Sequence, residues 1–90
     1  TRGYAAPEQF GGQGQTDART DIYCLGATLY HLVTGHNPAE PPYEIYPIRH
    51  WNSQLSGGLE NIIEKCTQLN PNDRYQSCAE LLLNRLKRKN

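Results

Sequence analysis

The feature that most constrains this chain is the stretch TDIYCLGATLYHLVTG, at residues 20–35. Its apolar side chains recur at helical spacing, which predicts an α-helix capped by Thr20 or Asp21 and ended by Gly35. One stripe of this helix holds Ile22, Leu25, Leu29, Leu32 and Val33, while Tyr23, Ala27 and Tyr30 lie on its other faces. A helix that is apolar on nearly every face is stable only inside a larger body. We therefore predict that it runs through the centre of the fold.

Two further segments have helical periodicity, at residues 57–69 and 77–88. Ser56 is placed to cap the first of these helices, and the dipeptide Asn70-Pro71 ends it. Ser77 and Glu80 have the spacing of a capping box at the start of the second. No long segment alternates between apolar and polar residues, so we predict an all-α fold with three main helices, long loops and no more than two short strands.

The segments between these helices are rich in glycine and proline. A short helical turn is predicted at Pro7–Phe10, and GGQGQ, at residues 11–15, predicts a surface loop. Residues 36–51 hold four of the six prolines, and Pro47 would break any helix that ran through it. We expect an extended connection there, with at most one turn near residues 43–46. Trp51 is expected to pack this connection against the helices, and an exposed, ligand-binding tryptophan is the alternative.

The composition excludes several classes of function. Nine basic side chains balance nine acidic ones, so no net field attracts nucleic acid. The three cysteines lack metal-ligand spacing and are predicted to be small buried side chains, and the three scattered histidines are predicted to be surface or packing residues. No apolar run is long enough to span a bilayer. The basic run RLKRK, at residues 85–89, is interpreted as a solvated helix end, with a basic segment near a membrane or linker as the alternative.

Three motifs occur in an order and spacing typical of one family. TRGYAAPE resembles the A-P-E end of a kinase activation segment, DIYCLG resembles the start of the central helix of the large lobe, and NPNDRY resembles the turn before the final helix. The chain thus resembles the C-terminal part of the large lobe of a Hanks-type, eukaryotic-like serine/threonine protein kinase of the bacterial kind. Since the chain begins at Thr1 without a methionine, we expect residues 1–90 to be a fragment of a kinase domain, from the end of the activation segment through the final helix.

The resemblance implies a substrate-binding role for the first four residues. Thr1 corresponds to the activation-segment threonine that bonds the catalytic aspartate and lysine in serine/threonine kinases. Arg2, Gly3 and Tyr4 would shape the pocket for the substrate residue that follows the phosphoacceptor.

Three further residues receive structural roles from the resemblance. Glu8 and Arg74 correspond to an ion pair that joins the activation segment to the turn before the last helix, and we predict a direct charge-assisted hydrogen bond between them. Two exposed, independent charges are the alternative. Asp21 corresponds to an aspartate that bonds the backbone of the catalytic loop, and an ordinary acidic residue at a helix N-terminus is the alternative.

The same resemblance implies that the catalytic residues lie elsewhere in the parent kinase. Phosphoryl transfer needs a glycine-rich loop, a strand lysine, a catalytic-loop aspartate and a magnesium-binding aspartate. The sequence contains no G-x-G-x-x-G, H-R-D or D-F-G motif. We therefore expect no catalytic residue, metal ligand or cofactor in this chain, and an ATP- and magnesium-dependent serine/threonine kinase as its parent.

Partners and location follow as further expectations. The parent's partners would be protein substrates, not nucleic acid, and the isolated chain would self-associate through exposed apolar surface. The expected location is cytoplasmic, either in a soluble parent or in the cytoplasmic kinase domain of a membrane-anchored one. Two alternatives stay open at this point: a pseudokinase that binds partners without catalysis, and a helical protein-interaction module unrelated to kinases.

Overall fold

A computed structural model describes residues 4–9, 17–41 and 44–88, with side chains described up to residue 83. Its four α-helices are α1 (Ala18–Thr34), α2 (Ile48–Trp51), α3 (Gly57–Cys66) and α4 (Cys78–Arg88). Single turns of 3₁₀-helix occur at Pro7–Gln9 and Pro71–Asp73. No strand is present in these described ranges, so the predicted all-α fold is confirmed. Within the same ranges, no helix has the length and apolar character that crossing a bilayer requires.

Helix α1 begins earlier than predicted. Its N-cap is Asp17, whose side chain accepts a hydrogen bond from the Arg19 amide at 2.8 Å. The Thr20 hydroxyl accepts one from the Asp17 amide at 3.3 Å, so Thr20 belongs to the first turn and is not the cap itself. The predicted end is confirmed, because Gly35 adopts a φ of 74° and its amide donates to the carbonyl oxygen of His31 at 2.9 Å.

The buried residues of α1 coincide only in part with the predicted apolar stripe, of which Ile22 is buried while Leu29 and Val33 pack against a core cluster. The residues that this helix buries are Thr20, Ile22, Tyr23, Gly26, Ala27 and Tyr30. Leu25 and Leu32 were predicted to lie in the stripe, but their side chains are 41% and 74% exposed. The reason is that α3 and the N-terminal segment cover the side of α1 that carries the tyrosines and small residues.

Helix α3 crosses α1 at very close range. A Cβ added to Gly26 would lie 2.6 Å from the Cβ of Cys66 and 2.8 Å from Cγ2 of Thr67. Helix α3 was predicted to reach residue 69 but ends at Cys66. Beyond this end, the carbonyl oxygens of Gln68 and Leu69 accept hydrogen bonds from a buried side chain outside the helix.

The connection between α1 and α3 contains a helical turn where none was predicted. Helix α2 follows Pro47 directly, while residues 44–47 form no regular structure. Pro47 is the N-cap of α2 with a φ of −53°, so the proline that was expected only to break a helix precedes one. Ile48 is 1% exposed and joins a core cluster with Tyr30 and Ile63.

Trp51 contacts α1 but is not a member of the core clusters among the described residues, so its predicted packing against the helices is only partly confirmed. Its indole Nε1 donates to the hydroxyl oxygen of Tyr30 at 2.7 Å, and its ring stacks on His36 with centroids 3.5 Å apart. Trp51 is 39% exposed, because the side of the indole away from these contacts is not covered.

Helix α4 starts with a modified form of the predicted capping box. The Ser77 hydroxyl accepts from the Glu80 amide at 3.1 Å, as predicted, but the Glu80 carboxylate accepts from the amide of Gln76 and not from that of Ser77. Leu81 packs against the core cluster that contains Cys66.

The prediction that all three cysteines are buried is correct only for Cys66. Burial raises the pKa of its thiol to about 11, which keeps it a neutral, apolar side chain. Cys24 is half-buried and Cys78 is exposed.

Candidate functional site

The most elaborate polar site is built around the guanidinium group of Arg74, which follows the 3₁₀ turn at Pro71–Asp73 and is 1% exposed. Its Nε donates to the carbonyl oxygen of Gln68 at 2.8 Å. Its Nη1 donates to Glu8 Oε2 at 2.8 Å and to the carbonyl oxygen of Arg19 at 3.1 Å. Its Nη2 donates to Glu8 Oε1 at 2.9 Å and to the carbonyl oxygen of Leu69 at 3.3 Å. These five bonds match the five N–H donors of an arginine.

Glu8 is the charged partner in this site, and the predicted direct hydrogen bond is present in a two-pronged form. The carboxylate accepts a third bond from the Thr20 hydroxyl at 2.8 Å. Hydrogen bonds from Arg74, opposed by desolvation, lower the pKa of Glu8 to about 2. At neutral pH the group is therefore a permanently ionised anchor and a very weak base.

The first turn of helix α1 borders the site on one side. The Thr20 hydroxyl donates a hydrogen bond to Glu8 and accepts one from the Asp17 amide. The Arg19 side chain forms an ion pair with the Asp17 carboxylate through Nη2 at 2.7 Å. The Arg74 guanidinium also lies over the ring of Tyr23, 4.9 Å from its centroid. Charged, polar and aromatic contacts thus join the N-terminal segment, the start of α1 and the turn before α4.

Tyr4 lies at a second contact between the N-terminal segment and α1. Its hydroxyl is hydrogen-bonded to Nδ1 of His31, which projects from the last turns of α1. Its ring packs against a cluster formed by Ala6, Tyr23 and Ala27. Tyr4 is therefore held in a fixed position relative to the central helix.

The remaining predicted site residues are not brought into this arrangement. Thr1, Arg2 and Gly3 lie outside the described residues. Asp21 is exposed in the first turn of α1, and its side chain makes no hydrogen bond to any residue that the structure describes. Within the described ranges, no three His, Cys, Asp or Glu side chains lie close enough together to hold a metal ion.

Sequence reasoning missed several members of the site. Asp17 and Thr20 have capping-box spacing, a signal that could have placed both at the start of α1. His31 could not be paired with Tyr4 from periodicity alone, because 27 residues separate them. The backbone acceptors of Arg74 carry no sequence signal, since any residue type supplies a carbonyl oxygen.

Comparison with known proteins relates the whole arrangement to one class of enzyme. Serine/threonine-protein kinase PknB of Mycobacterium tuberculosis is 34% identical over 92 residues, an alignment that covers 90% of this chain and 14% of PknB. Serine/threonine-protein kinase Pkn1 of Myxococcus xanthus is 34% identical over 93 residues, covering 84% of this chain and 12% of Pkn1. The probable serine/threonine-protein kinase CPE1738 of Clostridium perfringens is 33% identical over 90 residues, covering 88% and 13%.

The chain therefore spans only 12–14% of the length of these relatives. No family model matches it.

Proposed function

Because the chain is homologous to one segment of bacterial Hanks-type serine/threonine protein kinases, we propose that residues 1–90 form the helical part of a kinase domain, from the end of the activation segment through the final helix. In this proposal the segment supplies the substrate side of the active site and its supporting scaffold. The parent enzyme transfers phosphate from ATP to serine or threonine in protein substrates, and the segment is inactive alone.

The observation that carries this proposal is the contact between Glu8 and Arg74. It joins a segment that resembles the end of an activation segment to a turn 66 residues later. A guanidinium that binds a carboxylate through two parallel bonds fixes orientation as well as distance. Such a clamp is suited to holding a substrate-binding loop against a rigid helical base.

The substrate side of the proposal rests on the first four residues. Tyr4 is anchored to His31 and to the apolar face of α1, which fixes its own position relative to the scaffold. We propose that Thr1, Arg2, Gly3 and Tyr4 together shape the pocket for protein substrates in the cytoplasm. The free carboxylate of Asp21 is then available to bond the backbone of the parent's catalytic loop.

ATP and magnesium are assigned to other parts of the parent kinase, because the residues of this chain fit neither. The sequence lacks the glycine-rich, H-R-D and D-F-G motifs. No cluster of His, Cys, Asp or Glu in the described part of the chain is suited to a magnesium ion. The one ionised carboxylate of the Arg74 site is already occupied by three hydrogen bonds.

The proposed inactivity of the isolated segment is tested by incubating it with labelled ATP, magnesium and a generic basic protein. We expect no phosphate incorporation above a blank without protein, while the PknB kinase domain serves as the positive control. Incorporation by the isolated chain that survives rigorous purification would contradict the proposal.

A further inference from the structure

A groove of about 580 Å³ lies between α1, α3 and the extended residues 44–47. It is next to the Arg74 site and shares Tyr23, Gln68 and Leu69 with it. Its apolar lining is formed by Tyr23, Ile45, Pro47, Ile48, Ile63 and Leu69. Leu69 is 74% exposed, so the opening of the groove is apolar as well as its floor. The volume lies within the range of roughly 300–1,000 Å³ that is typical of ligand pockets.

Three carboxylates surround this apolar floor: Glu44, Glu60 and Glu64. Glu60 accepts a hydrogen bond from the backbone amide of Arg49 at 3.1 Å, and the neighbouring carboxylate of Glu44 raises the pKa of Tyr46. Neither contact neutralises a negative charge. No ion pair among the described residues involves any of the three carboxylates, and the described lining contains no lysine or arginine.

The cationic side chains of Arg74, Arg49 and Lys65 have other partners, and the carboxylate of Glu8 compensates the charge of Arg74. The guanidinium of Arg49 donates through Nη2 to the carbonyl oxygen of Ser53 at 3.4 Å. The ammonium of Lys65 lies over the ring of Tyr75, 5.0 Å from its centroid. The groove therefore combines an apolar floor with an uncompensated negative rim.

We propose that this groove binds a protein segment in which a pair of large apolar residues, one of them inserted in the groove, is flanked by lysine or arginine. The apolar side chain would enter the groove between Tyr23 and Ile63, and the flanking cations would meet Glu44 and Glu64 at the rim. Charge complementarity of this kind selects a basic partner and rejects an acidic one. The proposal goes beyond the role in phosphoryl transfer and does not depend on it, because it requires only that the groove exists in the folded chain.

The test uses the whole 90-residue chain and three fluorescein-labelled peptides, with binding followed by fluorescence anisotropy. The probe peptide is acetyl-RKLFKR-amide, and the comparison peptides are acetyl-EDLFDE-amide and acetyl-RKGGKR-amide. We expect saturable binding of the probe, at least tenfold weaker binding of the peptide without the apolar pair, and no binding of the acidic peptide.

Matched variants locate the site. Exposed ion pairs contribute little individually, so Glu64→Gln should weaken binding of the probe about two- to fivefold, and Glu44→Gln with Glu64→Gln should weaken it further. Glu80→Gln removes the same charge from α4, outside the groove, and should leave the affinity unchanged. Leu69→Ala should weaken binding, whereas Leu82→Ala, at another exposed leucine, should not.

Three results would overturn the proposal: no saturable binding of the probe, equal binding of the acidic peptide, or equal loss from Glu80→Gln and Glu64→Gln. Thermal unfolding of each variant checks that the fold is retained, and all the substituted side chains are exposed, so we expect no variant to unfold. A failure here would leave the proposed kinase origin intact, since that proposal is tested by phosphate transfer.

Discussion

At the scale of single residues, Arg74 and Glu8 show how a buried charge is made tolerable. Removing an unpaired guanidinium from water is very costly, and the protein offsets that cost with a carboxylate, three carbonyl oxygens and an aromatic face. Every polar side-chain atom that is buried within the described residues has a hydrogen-bond partner. The site is therefore complete as it stands, which favours a structural over a catalytic role.

The coupling of Glu8 and Arg74 can be measured with a double-mutant cycle. Either Glu8→Gln or Arg74→Ala should lower the free energy of unfolding, Arg74→Ala by roughly 3–5 kcal/mol because it leaves a half-buried carboxylate without its partner. The double variant should cost less than the sum of the two. Urea unfolding followed by Trp51 fluorescence gives all four values, and strict additivity would show that the two residues act independently.

The acid stability of the chain depends on the same carboxylate. Because the folded-state pKa of Glu8 is about 2, against an ordinary value of 4.5, its ionisation favours the folded state above the ordinary pKa. That contribution should be lost progressively as the pH falls from about 5 towards 2. Asp17, whose pKa is lowered by hydrogen bonds from Arg19, adds to this acid limb.

The measurement is thermal unfolding between pH 2 and pH 7. In Glu8→Gln the melting temperature should decrease less steeply as the pH is lowered, which is the acid limb of the stability profile. Glu80→Gln is the control for the loss of one surface charge. An unchanged acid limb in Glu8→Gln would contradict the assigned pKa of Glu8.

At the scale of secondary structure, the contact between α1 and α3 determines how the chain folds. Periodicity located both helices, but it could not identify the buried face of α1, because leucines and tyrosines make several faces of that helix apolar. Which face of α1 is buried depends on the segment that packs against it. The absence of a side chain at Gly26 lets α3 approach that face closely. The end of α3 was also predicted inexactly, because the apolar periodicity continues to Leu69 whereas the helix ends at Cys66.

Gly26→Ala is a specific test of this close contact. In an exposed helix the change would add roughly 0.5–1 kcal/mol of stability. Here the new methyl group would clash with Cys66 and Thr67, so we expect a net loss of about 1–3 kcal/mol. Gly57→Ala is the matched control, since a Cβ at Gly57 meets no atom within 4 Å. Equal effects of the two substitutions on the melting temperature would show that α1 and α3 are farther apart.

At the scale of the whole molecule, the described residues form a small core that is divided among three clusters around α1. The resemblance to kinases predicted the helical architecture and the Glu8–Arg74 contact, since both depend on motifs spread along the chain. Helix α2 was not predicted, because the four prolines in residues 36–51 indicated an extended connection.

The outer face of α1 leads us to propose that the isolated chain self-associates. Leu32 and Leu25 leave apolar surface on that face, and a second copy could cover it. We expect light scattering to give a mass above 10.2 kDa that increases with concentration. Leu32→Ser should reduce this association, and Leu82→Ser, on α4, should reduce it less. A monomer at every concentration would contradict the proposal.

The most direct test of the central claim replaces the aligned residues of the PknB kinase domain with this chain. If the segment is a kinase scaffold, the chimera should unfold cooperatively and phosphorylate a protein substrate on serine or threonine at a rate within about a hundredfold of PknB, and Glu8→Gln in the chimera should lower that rate. A chimera that folds cooperatively and binds ATP, yet transfers no more phosphate than a PknB variant without its catalytic aspartate, would contradict the claim.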